Sequence, residues 1–380
     1  MPQGNLIAHI IHRLNVGGLE NGLVNLINHL PAERYRHAII CLTDYSDFRS
    51  RIRRSDVEVY ALDKRPGKAL GVYPRLWRLL RQLRPQIVHT RNLATLDCQF
   101  AAAVAGIPHR VHGEHGWDIY DLHGDSTKYR WLRRAAIPFV DLFVPMSKDL
   151  ARWLETRVRV PARKIVQLYN GVDTTRFTPR NGARQIDLGD VPLPDDAFVI
   201  GSVMRLEPVK SPRTLVQAFA RLVHSVPEHS RRLRLLIVGD GSERAALEQL
   251  AADERVGQHV LFVGQRDDIA DLLQAMDVFV LTSLNEGISN TILEAMATGL
   301  PVVATDVGGN RELVSPESTG TLCAPGDSDA LALAMRDYLT DTGRARRHGE
   351  AARQKAERSF SLTAMVKGYD DLYQRLLIPA

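Results

Sequence analysis

The sequence predicts an α/β protein made of two parallel β-sheets, each covered by helices. Three observations predict this fold class. Apolar runs alternate with amphipathic helical segments in the first half of the chain, the alternation restarts in the second half, and a stretch rich in Gly, Pro and Asp separates the two. Continuous apolar runs are typical of parallel strands, which are buried on both faces. At 380 residues, the chain is long enough for two domains with separate cores.

The first half carries seven predicted strands and three predicted helices. The strands are Leu6–Leu14, Arg36–Thr43, Val57–Leu62, Gln86–Thr90, Arg110–His115, Asp141–Met146 and Ile165–Tyr169. The helices are Leu19–Leu30, Pro74–Leu83 and Thr95–Ala105. Strands that alternate with helices predict a parallel sheet wrapped by those helices.

The second half repeats this pattern. Its predicted strands are Phe198–Val203, Leu233–Val238, Val260–Val263, Asp277–Thr282 and Val302–Thr305, and Ser361–Leu377 is predicted to be a helix. The expected organisation is a first domain of residues 1–178, a linker of residues 179–196, a second domain of residues 197–360 and a C-terminal segment of residues 361–380. Ligands in such sheets bind beyond the carboxyl ends of the strands, so functional residues are expected there.

Composition indicates a cytoplasmic protein. The three cysteines are far apart in the chain and lack disulfide or metal spacing, which is typical of a reducing compartment. No apolar run has the length needed to span a bilayer. His12 and Arg13 interrupt the first apolar stretch, which argues against a signal peptide.

The charge is unevenly distributed. Residues 1–180 hold 28 Lys and Arg against 16 Asp and Glu, a net charge of +12, and the remainder has a net charge of −7. A basic half predicts an anionic partner, such as a membrane surface, nucleic acid or a phosphorylated acceptor. The segment Pro74–Arg84 is a basic amphipathic helix, and Tyr129–Arg134 has a similar character, so both are candidates for peripheral contact with the inner face of the membrane. The alternative is that these arginines are solvated faces of helices that cover the sheet.

Glu286 and Glu294 bracket the most informative stretch of the chain. It follows a predicted strand, and Ser289 and Asn290 are good N-cap residues for the helix that the apolar spacing predicts. One carboxylate then lies in a loop and the other about one turn inside a helix, with the N–H groups of the helix start between them. This arrangement predicts a nucleotide-sugar site with a pyrophosphate at the helix start, Glu294 on the ribose and Glu286 on the sugar. The alternative is a pair of solvated surface glutamates.

Three further segments accompany this signature along the chain: Gly17–Glu20, Asn170–Asp173 and Gly201–Lys210. Together the four segments resemble the retaining GT-B glycosyltransferases of family 4 (glycosyl transferases group 1), and the resemblance covers nearly the whole chain. It implies a GT-B fold, in which two Rossmann-like domains face one another across a cleft and a C-terminal helix crosses back to the first domain.

The same resemblance implies an enzyme that moves a sugar from a nucleotide-diphosphate sugar to a glycan or lipid-linked acceptor, with retention of anomeric configuration. The nucleotide sugar is a co-substrate, so no cofactor is expected, and the chemistry is expected to be metal-independent. The first half looks closest to enzymes of bacterial exopolysaccharide synthesis.

The resemblance also implies roles for individual residues. Arg205 and Lys210 follow the first strand of the second half and match the Arg and Lys that bind the diphosphate in the family. A family histidine that touches the donor sugar lies at the end of the fifth strand; His115 is the assignment here and His112 the alternative. The predicted catalytic residues are His115, Arg205, Lys210 and Glu286. The predicted donor-binding residues are Gly17, Gly18, Gly264, Arg266, Gly287, Ile288, Ser289, Asn290, Thr291 and Glu294.

Two other patterns are weak metal signals. His109, His112 and His115 are three residues apart, but side chains alternate faces along a strand, which argues against one shared metal. Asp327 and Asp329 form a D-x-D motif that opens a predicted helix, so helix capping is the favoured interpretation. No metal site is predicted.

Other functions are weighed against this one. Gly239–Gly241 lacks the third glycine of a dinucleotide fingerprint, because Arg244 stands at that position, and it is interpreted as a tight turn. A sugar-nucleotide epimerase on the same fold is the first alternative. A nucleic-acid-binding protein that uses the basic half is the second, although no nucleic-acid-binding motif accompanies that charge.

Overall fold

The computed structural model describes residues 4–65, 67, 70–117, 121, 124–184, 186, 193–194 and 196–378. Their contacts form two compact units, one of residues 1–171 with 362–380 and the other of residues 172–361. Residues 172–178, assigned by the sequence to the first domain, group with the second unit. Positions 185, 187–192 and 195 of the predicted linker lie outside the described residues.

The first unit contains a six-stranded parallel sheet with helices between its strands. The strands are β1 (Asn5–Ile11), β2 (Tyr35–Cys41), β3 (Glu58–Ala61), β4 (Ile87–Arg91), β5 (His109–Glu114) and β6 (Leu142–Pro145). The helices are α1 (Gly18–His29), α2 (Val72–Leu83), α3 (Cys98–Val104), α4 (Thr127–Ala136) and α5 (Lys148–Trp153). The strand order is β3-β2-β1-β4-β5-β6, and every pair is parallel.

The second unit repeats this design. Its strands are β7 (Phe198–Val203), β8 (Leu233–Val238), β9 (Val260–Phe262), β10 (Val278–Leu281), β11 (Val302–Thr305) and β12 (Gly320–Cys323). Its helices are α6 (Pro212–Ser225), α7 (Arg244–Asp253), α8 (Ile269–Gln274), α9 (Asn290–Ala297), α10 (Asn310–Leu313), α11 (Ser328–Thr340) and α12 (Thr342–Ser359). The strand order is β12-β11-β10-β7-β8-β9, and every pair is again parallel. In both sheets the strand order reverses between the first and the fourth strand of the unit.

The last helix, α13 (Leu362–Leu377), belongs to the first unit. Met365, Tyr369 and Tyr373 pack into the core below β1, β4 and β5. At the surface of this helix, Asp370 accepts a hydrogen bond from Tyr35 at 2.7 Å and forms an ion pair with Arg34 at 2.9 Å. The chain therefore returns to its N-terminal unit, as the GT-B resemblance implies.

Local sequence explains where several helices begin. In each, a side-chain oxygen accepts the backbone N–H of the third residue after it, which satisfies one of the free donors of the first turn. The capping residues are Ser126, Ser147, Ser289, Asp327 and Asp341. Among the described residues, no helix has both the length and the apolar character needed to cross a membrane.

Two strand predictions differ from the structure. The sequence analysis missed β12, which forms the edge of the second sheet. The strand predicted over Ile165–Tyr169 is wrong, because the structure shows one isolated bridge between Ile165 and Phe143. The N–H groups of Val166 and Leu168 donate to Phe143 and Pro145 at 2.9 and 3.1 Å. Pro145 has no N–H to return a bond, so the parallel ladder stops there.

Candidate active site

The candidate site of the second unit lies where its strand order reverses. From β7 the chain continues to β8 on one side, and β10 lies on the other, so the loops after β7 and β10 diverge around a crevice. Arg205 and Lys210 follow β7, and Glu286 to Asn290 follow β10. The backbone N–H of Leu284 donates to Val209 at 2.8 Å and joins the two loops. The fold thus brings the predicted cations and carboxylates of this unit together.

Glu286 is held by two donors from separate loops. Lys210 Nζ lies 2.5 Å from Glu286 Oε1 and forms an ion pair with it, and Ser283 Oγ donates to the same oxygen at 2.7 Å. Thr282 Oγ1 donates to the backbone carbonyl of Lys210 at 3.0 Å, which fixes the loop that carries the lysine. The carboxylate is 10 % exposed and the ammonium 20 %. Two opposite charges are therefore held together beyond the carboxyl ends of β7 and β10, and both remain partly exposed to a ligand.

The helix start predicted from the sequence is present. The chain turns at Gly287 and Ile288, and α9 begins at Asn290 after the Ser289 cap, which accepts from Ile292 N–H at 3.3 Å. Its first turn, which includes Thr291, presents backbone N–H groups that favour an anion. Glu294 lies one turn further along, half-buried.

Sequence analysis missed the glycine pair that supports this loop. Gly308 has a φ of +47°, and a Cβ atom there would overlap the carbonyl oxygen of Glu286. A Cβ on Gly309 would overlap the carbonyl oxygen of Gly287, and Gly309 N–H donates to Glu286 at 3.4 Å. The loop that carries Glu286 thus packs directly on glycine backbone. A Gly-Gly pair between a buried strand and a helix is the signal that could have revealed it.

Arg205 lies beside another close backbone contact. Cβ atoms on Gly239 and Gly241 would overlap the backbone of Met204 and Leu206, which flank Arg205. This confirms the interpretation of these glycines as a tight turn before α7. Arg205 itself is exposed and forms no ion pair with any residue that the structure describes.

Gly264 and Arg266 follow β9, so they lie at the carboxyl ends of the strands of the second sheet, as do the loops after β7 and β10. Gly264 has a φ of +69°, and its carbonyl accepts from Gly239 N–H at 2.8 Å. Arg266 forms a two-pronged ion pair with Asp268 at 2.8 and 2.5 Å. A ligand that used Arg266 would therefore share it with a carboxylate.

In the first unit, the predicted glycine pair lies after β1. Gly17 is the N-cap of α1 with an extended backbone, and Gly18 is the first helical residue. A Cβ atom on Gly17 would overlap the carboxylate of Glu20. The space that glycine leaves open at position 17 is therefore occupied by the side chain of Glu20, from the same helix.

The two candidate histidines have different surroundings. His112 is buried, and both its ring nitrogens have partners: Nδ1 pairs with Thr90 Oγ1 at 2.8 Å and Nε2 with Glu114 at 3.3 Å. His115 follows β5, and its backbone N–H donates to Asn92 Oδ1 at 2.7 Å. Neither ring nitrogen of His115 has a hydrogen-bond partner among the described residues. This difference favours His115 as the histidine that meets a ligand.

A buried polar cluster lies next to His115. His9 Nε2 lies 3.0 Å from His37 Nδ1, Arg91 Nη1 lies 3.1 Å from His9 Nδ1, and His89 Nδ1 lies 2.8 Å from the hydroxyl of Tyr373. Burial is the main cause that holds the pKa values of His9 and His89 well below 6.5, and the charge of Arg91 adds to it. Burial also lowers the pKa of His37 and of His115 to about 3. The cluster is therefore neutral apart from Arg91.

A buried ion pair lies on the opposite face of β5. Glu114 accepts from Arg133 of α4 at 2.6 and 3.1 Å, and both side chains are almost fully buried. The Arg133 charge and the donors around Glu114 hold the pKa of that carboxyl well below its usual range, against the opposing effect of burial. The pair fixes the end of β5 immediately before His115.

The two weak metal patterns have structural explanations. Asp327 Oδ1 accepts from Ala330 N–H at 2.9 Å, which confirms that the D-x-D motif caps α11. Nowhere in the described part of the chain do three or more His, Cys, Asp or Glu side chains form a group suited to a metal ion.

Comparison with known sequences agrees with this geometry. Residues 16–176 match the family described as Glycosyltransferase Family 4, and residues 184–355 match Glycosyl transferases group 1. The chain is 33 % identical over 308 residues to a D-inositol 3-phosphate glycosyltransferase of Stackebrandtia nassauensis, covering 76 % of this chain and 69 % of the relative. The chain belongs to the group 1, family 4 glycosyltransferases.

A second relative matches along almost its full length. It is the UDP-Gal:alpha-D-GlcNAc-diphosphoundecaprenol alpha-1,3-galactosyltransferase of Escherichia coli, 29 % identical over 98 % of this chain and 97 % of the relative. The crystal structure of Anabaena HepE in complex with UDP superposes with a TM-score of 0.80 at 21 % identity, covering 98 % of this chain and all of that one. This likeness shows that the glycosyltransferase has the GT-B fold.

Acidification is expected to destabilise the first unit through its buried histidines. Their folded pKa values lie below the unfolded value of 6.5, so their contribution to stability is complete above pH 6.5 and is lost as the pH falls toward about 3. The free energy of unfolding should fall by about 1.4 kcal/mol per pH unit for each such histidine. Urea titrations between pH 7.5 and 5, above the range where carboxylates dominate, measure this slope.

Tryptophan fluorescence makes that measurement specific to one unit. All four tryptophans, Trp77, Trp117, Trp131 and Trp153, belong to the first unit. A His29→Gln variant, which changes an exposed histidine, serves as control and should show the same slope as the wild type. Equal stability at pH 7.5 and pH 5.5 would contradict the neutral state of the cluster.

Proposed function

We propose that this enzyme transfers a sugar from a nucleotide-diphosphate sugar to a lipid-linked or polysaccharide precursor, with retention of anomeric configuration. The observation that carries the proposal is the Lys210–Glu286 pair, set beside the start of α9 at the strand reversal of the second unit. The Escherichia coli relative, whose name includes a UDP-sugar donor and a diphosphoundecaprenol acceptor, supports both substrate classes. The relatives named above are transferases, which favours transfer over epimerisation.

The donor diphosphate fits the positive side of this site. Backbone N–H groups at the start of α9 favour an anion, and Arg205 and Lys210 add a forked donor and a compact cation at the end of β7. Glu294, one turn into α9, is proposed to accept hydrogen bonds from the ribose hydroxyls. Arg205 and Lys210 are proposed to neutralise the leaving diphosphate, so the reaction is proposed to proceed without a metal ion.

Glu286 is proposed to contact the transferred sugar, and His115 is the histidine of the first unit proposed to bind a donor sugar. In this reaction the bond between the anomeric carbon and the phosphate oxygen breaks, and the acceptor oxygen bonds to the same face of that carbon. The acceptor proton passes to an oxygen of the departing diphosphate, which serves as the base. Catalysis then rests on positioning the substrates and on stabilising the leaving group.

A panel of nucleotide sugars tests this function. The donor should raise the melting temperature by mass action, whereas sugars with the wrong base or hexose should not. With the donor identified and a diphospholipid acceptor supplied, the product's anomeric configuration should match the donor's by NMR, and the rate should survive EDTA. An inverted product, or an absolute requirement for magnesium or manganese, would refute the mechanism.

Substitutions of Glu294 and Glu286 are expected to change different kinetic constants. Glu294→Gln weakens a ribose contact that exists before and during the reaction, so it should mainly raise the donor KM. Glu286→Gln removes a negative charge beside the carbon where positive charge develops, so it should mainly lower kcat. Loss of one such charge-assisted hydrogen bond corresponds to about 1.5–3 kcal/mol, or roughly ten- to 150-fold. Steady-state kinetics on both variants separates the effects.

Further variants sharpen this comparison. Arg205→Ala and Lys210→Ala should resemble Glu286→Gln, because their partner gains charge as the leaving group departs. Glu350→Gln, an exposed glutamate of α12, is the matched control and should leave both constants unchanged. If both active-site glutamine variants fold normally by circular dichroism and keep wild-type constants, the site lies elsewhere.

Membrane association is a separate part of the proposal. In α2, Leu76 and Leu80 are buried against the sheet, while Arg75, Arg78 and Arg81 are exposed. In α4, Trp131 is 63 % exposed in a basic segment. An arginine-rich helix face and an exposed aromatic side chain in a basic segment are features that suit an anionic lipid surface. The apolar side of α2 covers the sheet, so binding would use its charged side.

Liposome flotation tests this surface. Binding to anionic vesicles should weaken as salt rises and be absent with neutral vesicles. Changing Arg75, Arg78 and Arg81 to Gln should reduce binding, whereas changing the exposed Arg346 and Arg347 of α12 should not. Equal binding by the two variants would indicate that α2 only covers the sheet.

A further inference from the structure

Both side-chain hydrogen bonds to the Glu286 carboxylate end on the same oxygen. Lys210 Nζ and Ser283 Oγ lie 2.5 and 2.7 Å from Oε1, and no described residue donates a hydrogen bond to Oε2. Each oxygen of a carboxylate can accept hydrogen bonds, so the capacity of Oε2 is unused. The side chain is 10 % exposed, so a ligand can reach it. Oε2 is therefore the oxygen left for a ligand hydroxyl.

The two donors to Oε1 differ in charge and in exposure. Lys210 is a cation with a partly exposed side chain, so an anionic ligand can compete with Glu286 for its ammonium. Ser283 is neutral and fully buried, so a ligand has no access to its hydroxyl. An anion that binds Lys210 weakens one of the two bonds to Oε1 and leaves the other intact. Ser283 is thus the donor that persists when the site is filled.

The backbone around Ser283 is fixed to both neighbouring segments. Ser283 lies just after β10, and its carbonyl accepts from Oγ1 of Thr305, the last residue of β11, at 2.6 Å. The N–H of the next residue, Leu284, donates to Val209 in the loop after β7 at 2.8 Å. Thr305 is fully buried as well. A hydroxyl on such a rigid support determines where its acceptor lies.

We propose that Ser283 is a positioning residue of the transfer reaction. Its hydroxyl holds Oε1 of Glu286, presents Oε2 to the transferred sugar, and maintains this orientation while Lys210 binds the donor diphosphate. The proposal rests on the proposed function, which assigns the sugar to Glu286 and the diphosphate to Lys210. A misplaced carboxylate slows the chemical step, because the reacting groups must be held close to their productive geometry.

Ser202 offers a matched control for the loss of a buried hydroxyl. Its Oγ donates to the carbonyl of Val280 at 2.6 Å, and the residue is as fully buried as Ser283. This hydrogen bond joins β7 to β10 and involves no side chain of the site. Ser202→Ala and Ser283→Ala should both lower the melting temperature slightly, because each loses one buried hydrogen bond. A role in stability alone would end there for both variants.

Steady-state kinetics measures the additional effect expected of Ser283. Ser283→Ala should lower kcat by about three- to tenfold, the range of one neutral hydrogen bond, and should keep the donor KM within about twofold. Ser202→Ala should leave both constants unchanged. Thr305→Val, which releases the carbonyl of Ser283 without changing the shape of residue 305, should lower kcat in the same way. Wild-type kcat in folded Ser283→Ala, or an equal loss in Ser202→Ala, would overturn the proposal.

A double-mutant cycle then tests whether Ser283 acts through Glu286. In a Glu286→Ala background, Ser283→Ala should change kcat by less than about twofold, because the group that it orients is gone. A full further reduction in that background would overturn the positioning role. The reductions caused by Lys210→Ala and Ser283→Ala should multiply, and a larger combined loss would show that Lys210 still holds Glu286 during the reaction. Normal kcat in Glu286→Gln would instead refute the proposed function of Glu286 itself.

Discussion

The reversal of strand order in the middle of each parallel sheet is the constraint on which the rest of the structure depends. Both sheets run outward in two directions from one central pair, β1 with β4 and β7 with β10. The loops at the carboxyl ends of each pair must diverge, which opens a crevice lined by backbone. Arg91, Asn92, Lys210 and Glu286 all lie at these ends. Chemistry concentrates there because the helices that cover the sheets occupy its faces.

Close packing of these loops explains why glycine recurs around the site. The loop that carries Glu286 packs on Gly308 and Gly309, and the loop that carries Arg205 packs on Gly239 and Gly241. Each contact is between backbones, so a methyl group would displace a charged side chain without touching it. The positions of Glu286 and Arg205 are therefore set by residues that have no chemistry of their own.

The sequence predicted the alternation of elements, the Ser289 cap and the GT-B class because each depends on local periodicity or on a contiguous motif. It missed contacts between residues distant in the chain. The ion pair between Lys210 and Glu286, the glycines after β11 and the hydrogen bond between His89 and Tyr373 join separate segments, which a single sequence does not pair. The wrong strand at Ile165–Tyr169 has the same origin: its apolar pattern is strand-like, but a proline in β6 ends the ladder.

The two units stabilise a cation near the carboxyl ends of their strands in different ways. In the second, Lys210 and Glu286 neutralise one another at the sheet edge, so each charge is partly solvated and free to take a ligand partner. In the first, the cation Arg91 is deeply buried, and among the described residues a neutral imidazole and a backbone carbonyl, not a carboxylate, accept its hydrogen bonds. A carboxylate beside Arg91 would cancel its field and raise the pKa of His115. The hydrogen bonds that Arg91 donates offset part of the cost of burying its charge, which makes this charge compatible with a stable core.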